Sequence, residues 1–167
     1  STSVFFSRLG MQAAAYALDA DEGEEVLRIR RTFYDQLDVP SCGKLARGDM
    51  SVADMERFSA HMADSARMRI SFLSGRGMAR LLAGTPVPGA TLSNEEMQMF
   101  MARYASPSEL NQMAEADDPE SLCAAIKLIA ETPLRAPKTD PTRTPAIRWV
   151  LRTGVDPYTG PTASRAP

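Results

Sequence analysis

The chain has 167 residues, 44% of them hydrophobic and 24% charged, with a formal net charge of −2. That length suits one domain or two small lobes with a genuine core, and the composition is ordinary for a soluble globular protein. No apolar run reaches the roughly 18 residues of a membrane-spanning helix, and a single histidine with two cysteines makes neither a zinc set nor a disulfide framework.

Residues 1–18 carry Arg8 and no acid, among Phe5, Phe6, Leu9, Met11, Tyr16 and Leu18. Two readings stand: an amphipathic first helix of a folded domain, or a stretch similar to a mitochondrial targeting helix. Asp19-Ala20-Asp21-Glu22-Gly23-Glu24-Glu25 then places five acids in seven residues. An Asp-x-Asp start suggests a cation loop, but its twelfth position would be Arg30, which repels a cation. Acids favour a helix N-terminus instead, and the helix continues through Val26, Leu27, Ile29, Phe33, Tyr34 and Leu37.

Residues 40–48, with Pro40, Ser41, Gly43 and Gly48, read as a loop. From Ser51 a helix carries the apolar stripe Met55, Phe58, Met62 and Ala66. His61 lies beside Met62, and a surface or interface role suits a lone histidine better than catalysis. Ile70, Leu73, Met78, Leu81 and Leu82 predict a further helix, weakened by Gly75 and Gly77. Ser74-Gly75-Arg76-Gly77 follows no strand and holds no lysine, so it does not read as a phosphate loop.

After a turn at residues 84–89, Ser93 starts a helix bearing Met97, Phe100 and Met101. Two more capped helices follow, one after Ser106 with Pro107 at its first position and one after Asp118 with Pro119. The second buries Leu122, Cys123, Ile126, Leu128 and Ile129. Cys123 in this apolar run reads as a core residue, and a reducing compartment is expected. The chain's ten methionines are read chiefly as core fillers.

Beyond Pro133 the composition changes. Six of the twelve prolines fall in the last 34 residues, which carry a net charge of +4 against −6 for the rest. Such a segment makes no core of its own, so an extended basic arm over residues 134–167 is expected to lie on a partner. Ile147, Trp149, Val150 and Leu151 form its apolar anchor, flanked by Arg148 and Arg152. The expected partner-binding set is Ile147, Arg148, Trp149, Arg152 and Tyr158. Docking of Trp149 back onto its own helices is the competing reading. Nucleic acid is a possible but not favoured partner, because the basic charge is sparse.

One internal repeat organises the middle of the chain. Gly48-Asp49-Met50-Ser51-Val52-Ala53-Asp54-Met55-Glu56-Arg57-Phe58 recurs 42 residues later as Ala90-Thr91-Leu92-Ser93-Asn94-Glu95-Glu96-Met97-Gln98-Met99-Phe100. In each copy Ser caps a helix, the acid three residues on completes a capping box, and Met and Phe share a buried face. The repeat resembles the second half of an EF-hand, the helix–loop–helix unit of calmodulin-like proteins. The resemblance implies one loop over residues 85–96 and another over residues 43–54 or 38–49. It also implies calcium ligands, which are deficient here. The second loop offers Thr85, Val87, Gly89 and Glu96, and the first offers Asp38, Pro40, Cys42 and Asp49 in one register or only Asp54 in the other. Neither loop is expected to bind calcium. Ser106-Pro107-Ser108-Glu109, a third such start at the wrong spacing, favours a generic capped helical domain instead.

The expected fold is all-α: an EF-hand-like helix-loop-helix bundle over residues 1–133 with an extended Pro-rich C-terminal arm over residues 134–167. The expected function is a non-catalytic structural or accessory subunit of a multisubunit assembly, with a mitochondrial complex as one candidate home inside the cell. The alternative is a calcium-responsive or light-chain-like module that binds a target helix. No catalytic residues, cofactor, metal or small-molecule substrate are expected.

Overall fold

A computed structural model describes residues 17–49, 51–85 and 91–153. Among these residues there are eight helices and no strand: α1 (Ala20–Gln36), α2 (Val39–Arg47), α3 (Val52–Ser59), α4 (Asp64–Leu82), α5 (Asn94–Tyr104), α6 (Pro107–Ala114), α7 (Pro119–Arg135) and α8 (Arg143–Thr153). The all-α expectation holds.

Helix starts follow the sequence closely. Asp19, Ser51, Ser93, Ser106 and Asp118 are all N-caps, each with a complete capping box. In the repeat, Ser51 Oγ accepts from the Asp54 amide at 3.1 Å and Ser93 Oγ accepts from the Glu96 amide at 3.1 Å. These bonds satisfy amides that a helix cannot pair internally.

Helix α2 corrects the sequence reading, which placed a loop over residues 40–48. The Asp38 carboxylate caps it by accepting from the Ser41 amide at 2.7 Å. Pro40 occupies the first turn, where its missing N–H is not needed. Gly48 then ends the helix at φ 66°, and its amide donates to the Leu45 carbonyl at 3.0 Å. Gly43 has a packing role: a Cβ there would lie 2.6 Å from the Pro119 Cα. The glycine lets α2 meet the start of α7 at backbone contact. Both candidate EF-hand registers for this segment therefore include helical residues. Part of the other candidate loop, residues 86–90, lies outside the described residues.

One residue from Gly43, Cys42 bonds to Cys123 of α7, with an S–S distance of 1.99 Å and a Cα–Cα distance of 5.2 Å. Both cysteines are buried, as expected for Cys123, but they are joined rather than free thiols. The pairing spans 81 residues and was not expected from the sequence.

Helix α7 is the hub, packing against α1, α2, α5, α6 and α8. It runs through Pro133 to Arg135, so the expected boundary at residues 133/134 falls inside it. Residues 134–153 are not an extended arm. Asp140 accepts from the Thr142 amide at 2.8 Å and from its hydroxyl at 2.6 Å, and α8 starts directly afterwards. Pro145 lies in the first turn, which tolerates proline. Ala146, Ile147, Val150 and Leu151 then form a stripe at i, i+1, i+4 and i+5 that is buried in the chain's own core. Residues 154–167, with Tyr158, lie outside the described residues, as do residues 1–16.

The core joins Val26, Leu27, Phe33 and Tyr34 of α1 to Leu45, Phe58, Met62, Leu73, Met97, Phe100 and Ile126. Phe58 and Met62 are buried as expected, with Ala66 partly buried, although the chain turns between α3 and α4 rather than continuing as one helix. The side chain of Met55 lies outside the described residues. Of the apolar residues expected in the core from α7, Cys123 and Ile126 are buried, while Leu122, Leu128 and Ile129 are only partly so.

Candidate interaction surface

The residues expected on a partner-binding arm separate into two groups. Ile147 is 0% exposed. A Cβ added to Gly23 of α1 would lie 3.5 Å from its Cγ2, so the two helices meet there without a gap. Arg148 is also buried. Its Nη2 donates to the Leu18 carbonyl at 3.0 Å, and burial pulls its pKa below the usual arginine value. Neither side chain is offered to a neighbour. Trp149 and Arg152 are partly exposed. The Trp149 Nε1–H donates to Asn94 Oδ1 of α5 at 3.1 Å, and its ring packs on the edge of the core.

Contacts within the fold, rather than an interface, engage Arg143 of α8 and Arg30 of α1. Arg143 Nη1 donates to Glu24 Oε2 at 2.8 Å, and its Nε donates to the Ala136 carbonyl at 2.9 Å. The Arg143 bond, reinforced by Arg28, holds the Glu24 carboxyl at about 2, well below its ordinary value. Arg30 Nη1 donates to the Val150 carbonyl at 3.3 Å.

His61 lines an open groove with Asp38, Pro40, Ser41, Lys44, Arg57 and Phe58. Its charged neighbours are already engaged. Arg57 pairs with Asp54 at 2.9 Å and stacks 5.1 Å from the Phe58 ring centre, and Lys44 lies 3.9 Å from Asp54. The Asp38 carboxyl is held below its ordinary value by the Ser41 amide that it caps. The groove therefore presents surface charges that are paired with one another or engaged at a helix start. Among the described residues no group of three or more His, Cys, Asp or Glu side chains could hold a metal ion. None of the described helices is long and apolar enough to cross a membrane.

Helix α4 is different. Its inner face buries Ile70, Leu73 and Gly77. Beside them a ladder of arginines grips α1: Arg69 donates to both Glu25 oxygens at 2.5 and 2.9 Å, Arg76 lies 3.2 Å from Glu22, and Arg80 donates to Glu22 at 2.5 Å. The outer face leaves Met68 73%, Phe72 55% and Leu82 83% exposed. With Gly75 and Ala79, also exposed, these residues fall at i, i+4, i+7, i+11 and i+14, a single seam along the helix. No other described helix exposes so many large apolar side chains. The sequence reading counted Leu82 among the apolar residues that predict this helix and passed over Met68 and Phe72. The seam's spacing was the available signal. The glycines do not break the helix: Gly77 is buried on the inner face, and a Cβ at Gly75 would meet nothing within 4 Å.

Comparison of the chain with protein-family models, curated proteins and solved structures finds no match in any of the three.

Proposed function

We propose that this chain is a non-catalytic structural or accessory subunit that docks on another protein of a larger assembly through the outer face of α4. The observation that carries the reading is the seam of Met68, Phe72 and Leu82, three large apolar side chains in one line and all more than half exposed. Exposed seams of this kind are typical of surfaces that receive another helix.

Charge favours one kind of partner. Helix α4 carries Arg67, Arg69, Arg76 and Arg80 against the single acid Asp64. Arg67 and Arg76 stand on opposite sides of the seam, with side chains 44% and 50% exposed. An amphipathic partner helix whose apolar stripe is bordered by carboxylates matches this pattern. The earlier expectation of a docking C-terminal arm narrows to Trp149, Arg152 and whatever residues 154–167 add, including Tyr158. The Cys42–Cys123 bridge suits an oxidising compartment better than the reducing one expected from the sequence.

The test is Phe72→Asp in the full chain. It should leave the fold intact and remove the protein from its native assembly, and unchanged incorporation would defeat the reading.

A further inference from the structure

We propose that the helix received by α4 carries two carboxylates nine residues apart, on opposite borders of its apolar stripe, with a bulky apolar residue beside one of them. The inference rests on the docking face proposed above and reads from α4 what that face selects.

The charges set the first part. Arg67 and Arg76 stand nine residues apart, which is two and a half helical turns. They therefore flank the seam from opposite sides, about 14 Å apart along the axis. Within the fold Arg67 pairs with Asp64, and Arg76 lies 3.2 Å from Glu22. A guanidinium has five N–H donors, so one such contact leaves each of these half-exposed side chains able to take a second carboxylate. A facing helix obeys the same geometry. Its two acids meet both arginines at a spacing of nine, whereas acids seven apart fall on one border.

The profile of the seam sets the second part. Phe72 and Leu82 are large, and Gly75 and Ala79 leave a notch between them. A Cβ built on Gly75 meets nothing within 4 Å. The notch lies level with Arg76, so a large side chain next to the carboxylate that meets Arg76 fills it. A second copy of this chain does not meet these terms, because its α4 brings four arginines and the single acid Asp64.

The experiment measures fluorescence anisotropy with the full chain and two labelled 15-residue helical peptides. The first has glutamates at peptide positions 3 and 12, leucines at 6 and 9, and phenylalanines at 2 and 13, so that either orientation brings a ring to the notch. The second has its later glutamate moved to position 10 and should bind about fivefold more weakly. Gly75→Leu fills the notch without a clash in the free protein, and it should weaken binding of the first peptide about tenfold while the melting midpoint is kept or raised.

Equal affinity for the two peptides, unchanged affinity of Gly75→Leu, or no binding of either peptide overturns the inference. So does Phe72-dependent self-association, or Phe72-dependent binding to vesicles of anionic phospholipid, in place of peptide binding; the seam would then belong to a second copy or a lipid surface. These readouts use defined peptides, whereas the docking reading is judged on the native assembly. Loss of that assembly with Phe72→Asp, together with peptides bound without preference, sinks the carboxylate spacing alone. Assembly retained by Phe72→Asp, with peptides that discriminate as expected, sinks the role in assembly alone.

Discussion

Gly43 of α2 meets Pro119 of α7 at backbone contact: a Cβ built on the glycine would fall 2.6 Å from the proline Cα and 2.9 Å from its carbonyl oxygen. Backbone atoms cannot rotate away as a side chain can, so the two helices must separate to admit even a methyl group. Gly43→Ala should therefore cost about 1–3 kcal/mol. A thermal melt checks this, and an unchanged midpoint would show that the contact carries no strain when filled.

The adjacent Cys42–Cys123 bridge ties the same two helices and encloses α3 to α6 between its ends. For a loop of this length the chain-entropy estimate is about 4–5 kcal/mol, against a usual measured range of about 2–5. Peptide mapping without reductant should recover residues 42 and 123 in one linked peptide. Reduction, or the double change Cys42→Ala and Cys123→Ala, should lower the melting midpoint. Recovery of two free thiols from protein folded in an oxidising medium would contradict the assignment.

Ile147→Ala tests where α8 belongs. A fully buried isoleucine should cost about 2–5 kcal/mol when truncated, whatever the partner does. On the extended-arm expectation the same change would leave the melt untouched and impair docking only. The denaturation midpoint of the isolated protein decides between them.

The Glu24–Arg143 pair fixes the sign of one pH dependence. The Arg143 hydrogen bond holds the Glu24 carboxyl at about 2 in the folded chain, below the ordinary glutamate value of the unfolded one. A carboxyl lowered on folding stabilises fully above its unfolded pKa, and that contribution is lost as the pH falls through the folded one. Stability should thus decline from roughly pH 4.5 towards pH 2, with a contribution on the order of 3 kcal/mol. Asp140 is held at about 2 as well, chiefly by the Thr142 hydroxyl, and adds to the same acid loss. Glu24→Gln should lower stability at neutral pH and flatten the acid limb of a urea midpoint series. A wild-type limb as shallow as that of Glu24→Gln would contradict the pair's role.

What the sequence made legible was local. Caps at Ser51, Ser93, Ser106 and Asp118 depend on residues within one turn and lie where the residue pattern put them, and α1 starts within the acid run read as a helix N-terminus. What it hid was set by tertiary contact. Helix α2 contains Pro40, Ser41 and Gly43, residues that favour turns. They form a helix because Pro40 sits in the first turn and Gly43 admits Pro119. Helix α8 was hidden by surrounding prolines, although Ala146, Ile147, Val150 and Leu151 already share one helical face. Pairing of two cysteines 81 residues apart cannot be read from spacing. The α4 seam was legible as periodicity. Only the fold shows that Ile70 and Leu73 face inwards while Met68 and Phe72 face out.

Phe72 lies at the centre of the proposed docking face. The side chain is 55% exposed, so Phe72→Asp should change the melting midpoint little while placing a charge in the middle of the seam. The decisive measurement is the size and composition of the native assembly recovered with full-length wild type, Phe72→Asp and Met99→Asp. Met99 is a second exposed apolar residue, on α5, and controls for surface apolarity in general. The predicted result is a defined partner, cross-linked to α4, that is present with wild type and Met99→Asp and absent with folded Phe72→Asp. Recovery of the same assembly with all three proteins would contradict the proposal that α4 is the docking face.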